Sequence, residues 1–497
     1  MKKLSELAKL IDGAVIIGND VNISSIEHDS RKCESGTLFV CIPGVHVDGH
    51  DFIDKSVEKG AAAILTTRDN VKAPDGLSVL KVKNLNSTLD TIVPFFHDYP
   101  AQKMRIIGIT GTNGKTTTSY ITRAILRAAG YKVGLIGTIQ IMIEDEAYPI
   151  HNTTPDVVEL QRTLKDMQKK GMDYVVMEVS SHALDQGRVS GIEFDTAVFT
   201  NLTQDHLDYH KTLENYMLAK AKLFDMLSAG GTKKNKTAVV NIDDAAGKVM
   251  LEHAKCNHLT YAIDNETASL RATDIEVLAN GASFTLTEKN IGTMPLKLHI
   301  TGIFNVYNVM SAVGAAIAEG IKADVIKDVL EKFTSVAGRF ELVRAGQDFS
   351  IIVDYAHTPD GVENVLKTAR KIAKRKIIAV FGCGGDRDRT KRPIMGRLAA
   401  ELADVVIATS DNPRSENPEF ILSEVEAGVK ETIGNKHHEL IVNRRTAIFR
   451  AIELAKTDDI VVILGKGHEN YQILADKTIH FDDKEVAREA VAARGNN

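Results

Sequence analysis

The sequence predicts an α/β protein of three domains, and two observations lead to that prediction. The chain has 497 residues, and globular domains contain roughly 100–200 residues each. Beyond residue 100, short apolar runs alternate with segments of helical periodicity, which is typical of parallel α/β sheets. We therefore expect a small α/β domain at 1–100, a central parallel-sheet domain at 101–335 and a C-terminal doubly wound domain at 336–497.

The composition is that of an ordinary globular protein and argues against several classes of partner. Hydrophobic residues make up 43% and charged residues 26%, and 61 Lys and Arg against 66 Asp and Glu leave a net charge of −5. This balance gives no electrostatic reason for bulk binding to nucleic acid or to a membrane. The amino terminus lacks the apolar core of a signal peptide, and no apolar run approaches the ~20 residues that cross a bilayer. We expect a cytoplasmic protein with no nucleic-acid or membrane partner.

The central domain begins with the apolar strand at 105–110. The other predicted strands of this domain are at 132–136, 174–178, 196–201 and 237–242, followed by a β-like stretch at about 258–300 and a helix from 305 to about 319. The first domain contains shorter strands at 37–42 and 62–66.

Five strands, most of them followed by a polar loop, define the third domain. They are predicted at 349–354, 376–381, 404–409, 439–442 and 459–464, with helical segments between them. This pattern indicates a doubly wound, Rossmann-like sheet, whose ligands bind beyond the carboxyl ends of the strands. The strand-end loops are DYAH from Asp354, GCGGDR from Gly382, DNPR from Asp411 and GKGHE from Gly465. We expect their polar side chains to collect at one rim.

A glycine-rich turn follows the first strand of the central domain. In RIIGITGTNGKTTTSY, an apolar strand leads into a turn with Gly111 and Gly114, and Lys115 and Thr116 then begin a helix. Such a turn lets backbone N–H groups approach phosphates, and the helix dipole favours an anion. Lys115 would neutralise the β- and γ-phosphates of ATP, and Thr116 would hold Mg²⁺. The strict GxxxxGK[ST] pattern fails at Ile109, so an ordinary glycine turn is the alternative.

A phosphate loop of this kind needs a carboxylate on its metal side. Glu178 ends the apolar strand at 174–178, which is a natural position for one. The alternative is a strand-end carboxylate in water, but the polar Ser180-Ser181-His182 that follows favours a binding site.

One lysine lies within the apolar stripe of the helix predicted at 213–227. Helical spacing places Lys220, but not Lys222, in the stripe formed by Leu213, Tyr216, Met217, Leu223, Phe224 and Leu227. Burial lowers the pKa of a lysine and favours the neutral amine, which can react with CO₂ to give a carbamate. Such a carbamate could hold a second Mg²⁺ together with His206. The alternatives are a lysine that extends its charge to solvent and a structural histidine.

Ten motifs in order along the chain resemble one family. They are TGTNGKTTT, EVSSHALDQGR, TNLTQDHLDYH, YMLAKAKLF, GIFNVYN, VAGRFE, DYAHTPD, GCGGDRDRTKRP, SDNPRSENP and GKGHE. Together they resemble the Mur ligases, and among these the ligases that add the third amino acid of the peptide. The resemblance covers nearly the whole chain, including DSR at 29–31, and it implies a P-loop ATPase-type central domain.

The resemblance implies binding residues for each substrate. ATP would contact Gly111, Thr112, Asn113, Gly114, Lys115, Thr116 and Thr117, with Asn305, Arg339 and Asp354 approaching from the hinge and the third domain. The UDP-sugar peptide would contact Ser30, Thr153, Thr154, Ser180, Gln186 and Arg188. The incoming amino acid would contact Arg387, Asp411, Asn412, Pro413, Arg414, Gly465 and Glu469. Magnesium would be held by Thr116, Glu178, His206 and Lys220 as its carbamate.

The implied reaction is ATP-dependent amide formation in peptidoglycan precursor synthesis. Transfer of the γ-phosphoryl group to UDP-N-acetylmuramoyl-L-alanyl-D-glutamate would give an acyl-phosphate, and the amine of meso-diaminopimelate would displace phosphate. Lys115, Glu178, His206 and Lys220 would act by positioning and charge neutralisation. We expect a monomer that binds only these small molecules and whose third domain closes over the site.

Arg414, in the DNPR loop, is the expected specificity residue. Diaminopimelate resembles lysine with an extra carboxylate, which a guanidinium can bind through two parallel hydrogen bonds. With lysine as acceptor, Arg414 would stay unpaired beside an ammonium, at a cost of a few kcal/mol. The DNPR form resembles the diaminopimelate type of the family. A solvent-facing arginine and a lysine-adding ligase are the alternatives.

Other functions fit the sequence less well. A folylpolyglutamate synthetase shares the acyl-phosphate chemistry but does not account for the whole first domain. A nucleotide switch would need a guanine-reading motif, and the sequence has no clear NKxD signature. The stretch DRDRTKRP could bind nucleic acid, but it contains two acids. Cys383 could be a nucleophile, but no histidine is placed to activate it, so we expect it to pack beneath its loop.

Overall fold

The computed structural model describes residues 1–43, 47–150, 152–278 and 281–495. These residues form three main sheets, of five, eleven and six strands, together with two short two-stranded sheets. The predicted three-domain α/β class is therefore confirmed. Across the described ranges, no helix is both long enough and apolar enough to span a membrane.

The five-stranded sheet lies in the first part of the chain, with the strand order β2-β7-β6-β5-β4. Four of its strands, β4, β5, β6 and β7, run parallel to one another, and β2 pairs antiparallel with β7 at one edge. The elements here are β1 (Lys2–Lys3), α1 (Leu4–Ala8), β2 (Val15–Ile17), β3 (Asn22–Ile23), β4 (Ser25–Glu27), β5 (Thr37–Val40), α2 (Ile53–Glu58), β6 (Ala61–Thr66), β7 (Ser78–Lys81) and α3 (Leu85–Phe96).

The eleven-stranded sheet forms the centre of the molecule. Its order is β11-β10-β9-β12-β8-β13-β14-β15-β16-β17-β18, parallel from β9 to β16 and antiparallel at both ends. Its strands and helices are β8 (Arg105–Thr110), α4 (Lys115–Ala128), β9 (Val133–Ile136), β10 (Ile141–Ile143), β11 (Glu146–Tyr148), α5 (Val157–Lys169), β12 (Tyr174–Glu178), α6 (Ser181–Asp185), β13 (Thr196–Phe199), α7 (Leu207–His210), α8 (Leu213–Ser228), β14 (Thr237–Asn241), α9 (Gly247–His253), β15 (Asn257–Ala262), β16 (Leu270–Leu278), β17 (Gly281–Glu288), β18 (Gly292–Leu298), α10 (Ile303–Ala318) and α11 (Ala323–Lys332).

The six-stranded sheet is doubly wound, as predicted. Five parallel strands in the order β20-β24-β21-β22-β23 carry β19 antiparallel at one edge. Separate apolar clusters cover its two faces, which is why its strands are apolar along their length. Its elements are β19 (Glu341–Leu342), β20 (Ser350–Asp354), α12 (Pro359–Ile372), β21 (Ile377–Phe381), α13 (Lys391–Leu402), β22 (Val405–Thr409), α14 (Pro418–Thr432), β23 (His437–Ile441), α15 (Arg444–Leu454), β24 (Ile460–Leu464), β25 (Tyr471–Ile473), β26 (Thr478–His480) and α16 (Asp483–Gly495).

The predicted strands lie within about two residues of the observed ones, and one difference at a strand end matters. The strand predicted at 196–201 ends at Phe199, because the next two side chains turn to the phosphate loop. Thr200 and Asn201 donate hydrogen bonds to the carbonyl oxygen of Asn113, at 2.7 and 3.1 Å. The strand predicted at 37–42 likewise ends at Val40.

The helix α5 packs partly into the core of the first sheet. Val157 and Val158 belong to the same apolar cluster as Leu89 and Ile92 of α3. Just before α5, Asp156 lies 3.0 Å from the imidazole of His28. The first sheet is therefore joined to a segment that lies more than 50 residues beyond α3. The domain boundaries at 100 and 335 stay predictions.

Candidate active site

The phosphate loop lies between β8 and α4, at the carboxyl end of the central sheet. Nζ of Lys115 donates hydrogen bonds to the carbonyl oxygens of Gly111 and Thr112, each at 2.8 Å. Gly114 has a φ of +87°, and a Cβ atom there would lie 2.2 Å from Oδ1 of Asn308, so glycine is required. Burial lowers the pKa of Lys115. A loop of this shape can present backbone N–H groups and one cation to a phosphate.

Neighbouring elements hold the loop in place. The backbone N–H of Asn113 donates to Oδ1 of Asn201 at 2.9 Å, and the hydroxyl groups of Thr112 and Tyr216 lie 3.2 Å apart. Thr117 is buried in the first turn of α4. The end of β13 and the helix α8 thus fix the loop on one side.

The carboxylate of Glu178 is fully buried beside the loop. It accepts hydrogen bonds from the hydroxyl of Thr116 at 3.0 Å and from the backbone N–H and hydroxyl of Thr138 at 3.0 and 2.9 Å. A Cβ atom at Gly137 would lie 2.4 Å from Glu178, so a glycine permits this close approach. Thr138 is not among the residues predicted from the sequence. It follows β9, the neighbour of β12, and its place just after a predicted strand is the signal that could have indicated it.

The oxygens of Thr116 and Glu178 suit magnesium, which prefers hydroxyl and carboxylate ligands. Within the described ranges, no group of three or more His, Cys, Asp or Glu side chains is arranged to hold a metal ion. Protein side chains of these types therefore do not complete a metal site here.

Lys220 is buried in α8, with 1% of its surface exposed. Its Nζ lies 4.1 Å from the centre of the Tyr216 ring. Burial, and then the ammonium of Lys115, lower the pKa of Lys220 well below its usual value, although the carboxylate of Asp205 opposes the shift. Such surroundings favour the neutral amine over the ammonium. Leu213, predicted in the same apolar stripe, is instead 47% exposed, because it begins the helix beyond the edge of the core.

His206 lies in a cluster of aromatic side chains near Lys220. Its ring centre is 4.7 Å from that of His182 and 5.9 Å from that of Tyr216. Its backbone is left-handed, with a φ of +53°, a conformation that is uncommon outside glycine and often marks functional sites. Burial lowers the pKa of His206, opposed by Asp205. A neutral imidazole of this kind can serve as a metal ligand.

The segment after α11 brings Arg339 to the phosphate loop. The guanidinium donates to the hydroxyl of Thr116 at 3.3 Å and lies 5.0 Å from the centre of the Tyr355 ring. Asp354 accepts hydrogen bonds from the backbone N–H groups of Phe340 and Ala356. Burial raises the pKa of Asp354, and the nearby Arg339 opposes that shift. A cation and an anion from the third domain are thus close to the phosphate loop.

Asn305 reaches the phosphate loop only through a second asparagine. Its Oδ1 accepts a hydrogen bond from Nδ2 of Asn308 at 3.0 Å, and Asn308 is the residue that packs against Gly114. The two asparagines are three positions apart on α10 and therefore share one face. That spacing, visible in FNVYN, could have indicated Asn308.

Most of the residues predicted for the UDP-sugar peptide form one hydrogen-bonded group. The Thr153 hydroxyl lies 3.2 Å from that of Thr138, and Thr154 donates to the carbonyl oxygen of Glu178 at 2.9 Å. Arg188 donates to the carbonyl oxygen of Thr154 and to Gln186 Oε1. The remaining two predicted residues are Ser180, whose N–H donates to Thr154, and Ser30, which is buried in a short helical turn of the first domain.

The residues predicted for the amino acid meet at the carboxyl ends of β22 and β24. Nδ2 of Asn412 donates to Oε2 of Glu469 at 2.9 Å. Asp411 is 9% exposed, and its Oδ2 lies so close to Gly465 that a Cβ atom there would come within 2.4 Å. That oxygen accepts no hydrogen bond from the part of the chain that the structure describes. Because buried carboxylate oxygens normally have a partner, a ligand donor would suit this position.

Two arginines flank one glycine at the same rim. A Cβ atom at Gly384 would lie 2.9 Å from Nη1 of Arg414 and 3.7 Å from Cγ of Arg387. Arg414 has a φ of +52°, and its Nη1 donates to the carbonyl oxygen of Gly385 at 2.8 Å. Pro413 is buried beside them, whereas Arg387 is exposed. The pair can offer two guanidinium groups to a carboxylate.

Two of the four bases in the stretch DRDRTKRP are engaged in ion pairs. Arg392 pairs with Glu416 at 2.8 Å and has a fully buried side chain. Arg389 also pairs with a carboxylate, that of Glu424, and it stacks on Phe420. The charges of these two arginines therefore support α14.

Cys383 packs beneath its loop, as predicted. It is 2% exposed, and its Sγ lies 3.7 Å from the sulfur of Met395. Burial raises the pKa of Cys383 to about 12, so the thiol is not available as a thiolate nucleophile.

Comparison with known proteins connects this geometry to a family. Three family descriptions match: the Mur ligase catalytic domain at 22–93, the Mur ligase middle domain at 109–316 and the Mur glutamate ligase domain at 338–467. A protein of Bacillus cereus named UDP-N-acetylmuramoyl-L-alanyl-D-glutamate--2,6-diaminopimelate ligase is 47% identical, over 100% of each chain. A solved structure of a ligase with that name has a TM-score of 0.68 and 34% identity, over 96% of each chain. The chain belongs to the Mur ligase family.

Proposed function

We propose that this protein is the ATP-dependent ligase that adds meso-2,6-diaminopimelate to UDP-N-acetylmuramoyl-L-alanyl-D-glutamate. The 47% identity to a protein of that name, over the full length of both chains, supports the reaction. One structural observation carries the proposal. The buried Glu178 contacts the phosphate loop through Thr116, and its backbone carbonyl accepts a hydrogen bond from Thr154 in the group assigned to the UDP-sugar peptide. ATP and the glutamate carboxylate that receives its γ-phosphoryl group would therefore meet at the end of β12.

The phosphate loop would hold ATP for transfer of its γ-phosphoryl group. Residues 111–117 would surround the phosphates, with Lys115 leaving its two carbonyl partners to neutralise them. Thr116 and Glu178 would hold magnesium, and Arg339 and Asp354 would approach from the third domain, with Asn305 acting through Asn308. The chemistry that magnesium supplies when bound is charge neutralisation at the phosphoryl group. The resulting acyl-phosphate would react with the amine, and the protein's contribution is positioning and charge.

Lys220 is proposed to carry a carbamate. Its neutral amine would form a bond from Nζ to the carbon of CO₂, and one proton would leave to solvent. The product is a carboxylate on a long side chain, which with His206 would offer ligands to a second magnesium ion. The burial and lowered pKa of Lys220 support this assignment. The charge change also suits the site, because it places an anion next to the ammonium of Lys115.

The third-domain rim is proposed to bind diaminopimelate. Arg414, with Arg387 beside it, would take the far carboxylate, and Asp411 and Glu469 would take ammonium groups. Asn412, Pro413 and Gly465 would shape the pocket. The far end of diaminopimelate carries an ammonium and a carboxylate, and the rim offers carboxylates and guanidinium groups to bind them.

Phosphate release from ATP tests the function, with UDP-N-acetylmuramoyl-L-alanyl-D-glutamate present and with meso-diaminopimelate, L-lysine or D-glutamate as acceptor. Of the three amino acids, we expect only diaminopimelate to give phosphate release. Turnover with lysine would support the ligase reaction but contradict the proposed specificity for diaminopimelate. Release with none of the three would contradict the proposal.

Arg414→Ala tests the specificity residue in the same assay. We expect kcat/KM for diaminopimelate to fall on the order of 100-fold, because a bidentate charged contact is lost, and the KM for ATP to stay unchanged. Arg397→Ala is the matched control, since Arg397 is an exposed arginine of α13 that pairs with Glu401. Unchanged kinetics with diaminopimelate in Arg414→Ala would contradict the assignment of Arg414 as the specificity residue.

The monomeric state and the cytoplasmic location stay predictions. Light scattering at micromolar concentration would test the first, and fractionation of cells that make the protein would test the second.

A further inference from the structure

Lys466 is the most deeply buried cation of the amino-acid rim. It follows β24, and its side chain is 0% exposed. Nζ donates to Oδ1 of Asn412 at 3.1 Å and to Oε2 of Glu469 at 3.0 Å, and it lies 5.3 Å from the centre of the Tyr471 ring. Burying an ammonium is costly unless it is paired and hydrogen-bonded. The two residues that it contacts are both assigned to the acceptor pocket.

This ammonium determines how Asn412 and Glu469 face the pocket. Oδ1 of Asn412 also accepts a hydrogen bond from the backbone N–H of Ile473 at 3.0 Å, and a backbone N–H can only donate. The amide orientation is therefore fixed, and Nδ2 points to Oε2 of Glu469. With Lys466 and Asn412 both donating to it, Oε2 is held in one place. The Glu469 side chain keeps 15% of its surface exposed, which leaves part of the carboxylate open to a ligand.

Lys466 also contributes to the balance of charge at the rim. The cations there are Arg387, Arg414 and Lys466, and the anions are Asp386, Asp411 and Glu469, so the positive and negative charges are equal in number. An acceptor whose far end carries both an ammonium and a carboxylate adds no net charge to this set. An acceptor with an ammonium alone adds an uncompensated positive charge, which repulsion from Lys466 and the two arginines disfavours.

We propose that Lys466 is a positioning and specificity-determining residue of the acceptor pocket, which orients Asn412 and Glu469 and disfavours acceptors with a lone ammonium at the far end. This inference rests on the proposed function, because it concerns the same pocket. It does not require Lys466 to touch the substrate.

The test measures acceptor kinetics of Lys466→Met in the full-length protein. Methionine keeps most of the side-chain length and removes the charge. We expect the KM for diaminopimelate to rise about tenfold or more, as for the loss of hydrogen bonds to a charged group, with the KM for ATP unchanged. The ratio of kcat/KM for L-lysine to that for diaminopimelate should rise about tenfold. Lys477→Met, at an exposed lysine between β25 and β26, should change none of these values.

A second variant covers the case in which Lys466→Met does not fold. Lys466→Met combined with Glu469→Gln removes both charges, so no unpaired carboxylate is left buried. We expect this double variant to keep the KM for ATP, and its ratio of kcat/KM for L-lysine to that for diaminopimelate should be higher than the same ratio in Glu469→Gln alone. An unchanged acceptor ratio in the variants that fold, or an equal rise in both KM values, would overturn the proposal. A wild-type protein that is inactive with every acceptor would instead overturn the proposed function.

Discussion

Two lysines of α8, two positions apart, have opposite surroundings. Lys220 is 1% exposed and contacts Tyr216, whereas the side chain of Lys222 is 46% exposed and pairs with Asp185 at 2.7 Å. Their positions differ by about 200° around the helix axis, so one faces the core and the other faces solvent. Burial lowers the pKa of the Lys220 amine well below its usual value, which suits this amine to react with CO₂.

We predict that Lys220 carries a carbamate and that Lys222 does not. With ¹³C-labelled bicarbonate, the protein should show one carbamate carbonyl signal by NMR. Lys220→Ala should lose this signal, and its turnover should fall on the order of 100-fold, as when a preorganised charged group is removed from a site. The matched variant Lys222→Ala should keep both. A signal that survives in Lys220→Ala would refute the assignment.

At the level of elements, one buried arginine joins the strand ends that carry the acceptor pocket. Arg444, the first residue of α15, donates to the carbonyl oxygen of Leu464 at the end of β24, at 3.0 Å, and to that of Ser410 just after β22, at 3.5 Å. It also forms two hydrogen bonds of 2.7 Å with Asp483, at the start of α16. Both side chains are fully buried. The two pocket loops therefore have a common anchor.

Arg444→Met should lower the free energy of unfolding by about 3–5 kcal/mol, because it leaves the Asp483 carboxylate buried without its partner. Denaturant titration measures this loss. The matched control is Arg445→Met, whose exposed ion pair with Glu489 should contribute less than about 1 kcal/mol. If both variants lost the same stability, burial of the pair would not be the cause.

Sequence patterns predicted the elements well and the contacts between them less well. Most strands of the two larger sheets were found because buried parallel strands are apolar along their length, and Lys220 was found because it interrupts an apolar stripe. Thr138 was missed although it follows a predicted strand, because a single threonine after a strand carries no distinctive pattern and its contact with Glu178 depends on how the strands are paired. The pair of His28 and Asp156 could not be predicted, since 128 positions separate them and no spacing rule applies at that range.

At the scale of the whole molecule, the third domain touches the phosphate loop through few and long hydrogen bonds. Arg339 donates to Thr116 at 3.3 Å, and Asp360 on α12 accepts from Thr203 at 3.3 Å and from Asn113 at 3.5 Å. Hydrogen bonds of this length are weak. Phosphates in the loop would give Arg339 a stronger partner.

We predict that a non-hydrolysable ATP analogue makes the protein more compact. Small-angle scattering should show a smaller radius of gyration with the analogue than without it, because Arg339 would then bind a phosphate and draw the third domain inward. In Arg339→Ala this difference should shrink, while binding of the analogue itself should weaken only in part. An unchanged radius in the wild-type protein on adding the analogue would contradict closure.

The insertion of α5 into the core of the first sheet has a consequence for how the protein can be divided. A fragment that stops at residue 100 lacks Val157 and Val158, so it would expose apolar surface of α3 to water and would be prone to aggregate. A fragment that ends at residue 100 therefore lacks part of the core of the first sheet. A soluble fragment that binds the UDP-sugar peptide should extend through α5 and the central sheet, and it can be ended before β19 instead.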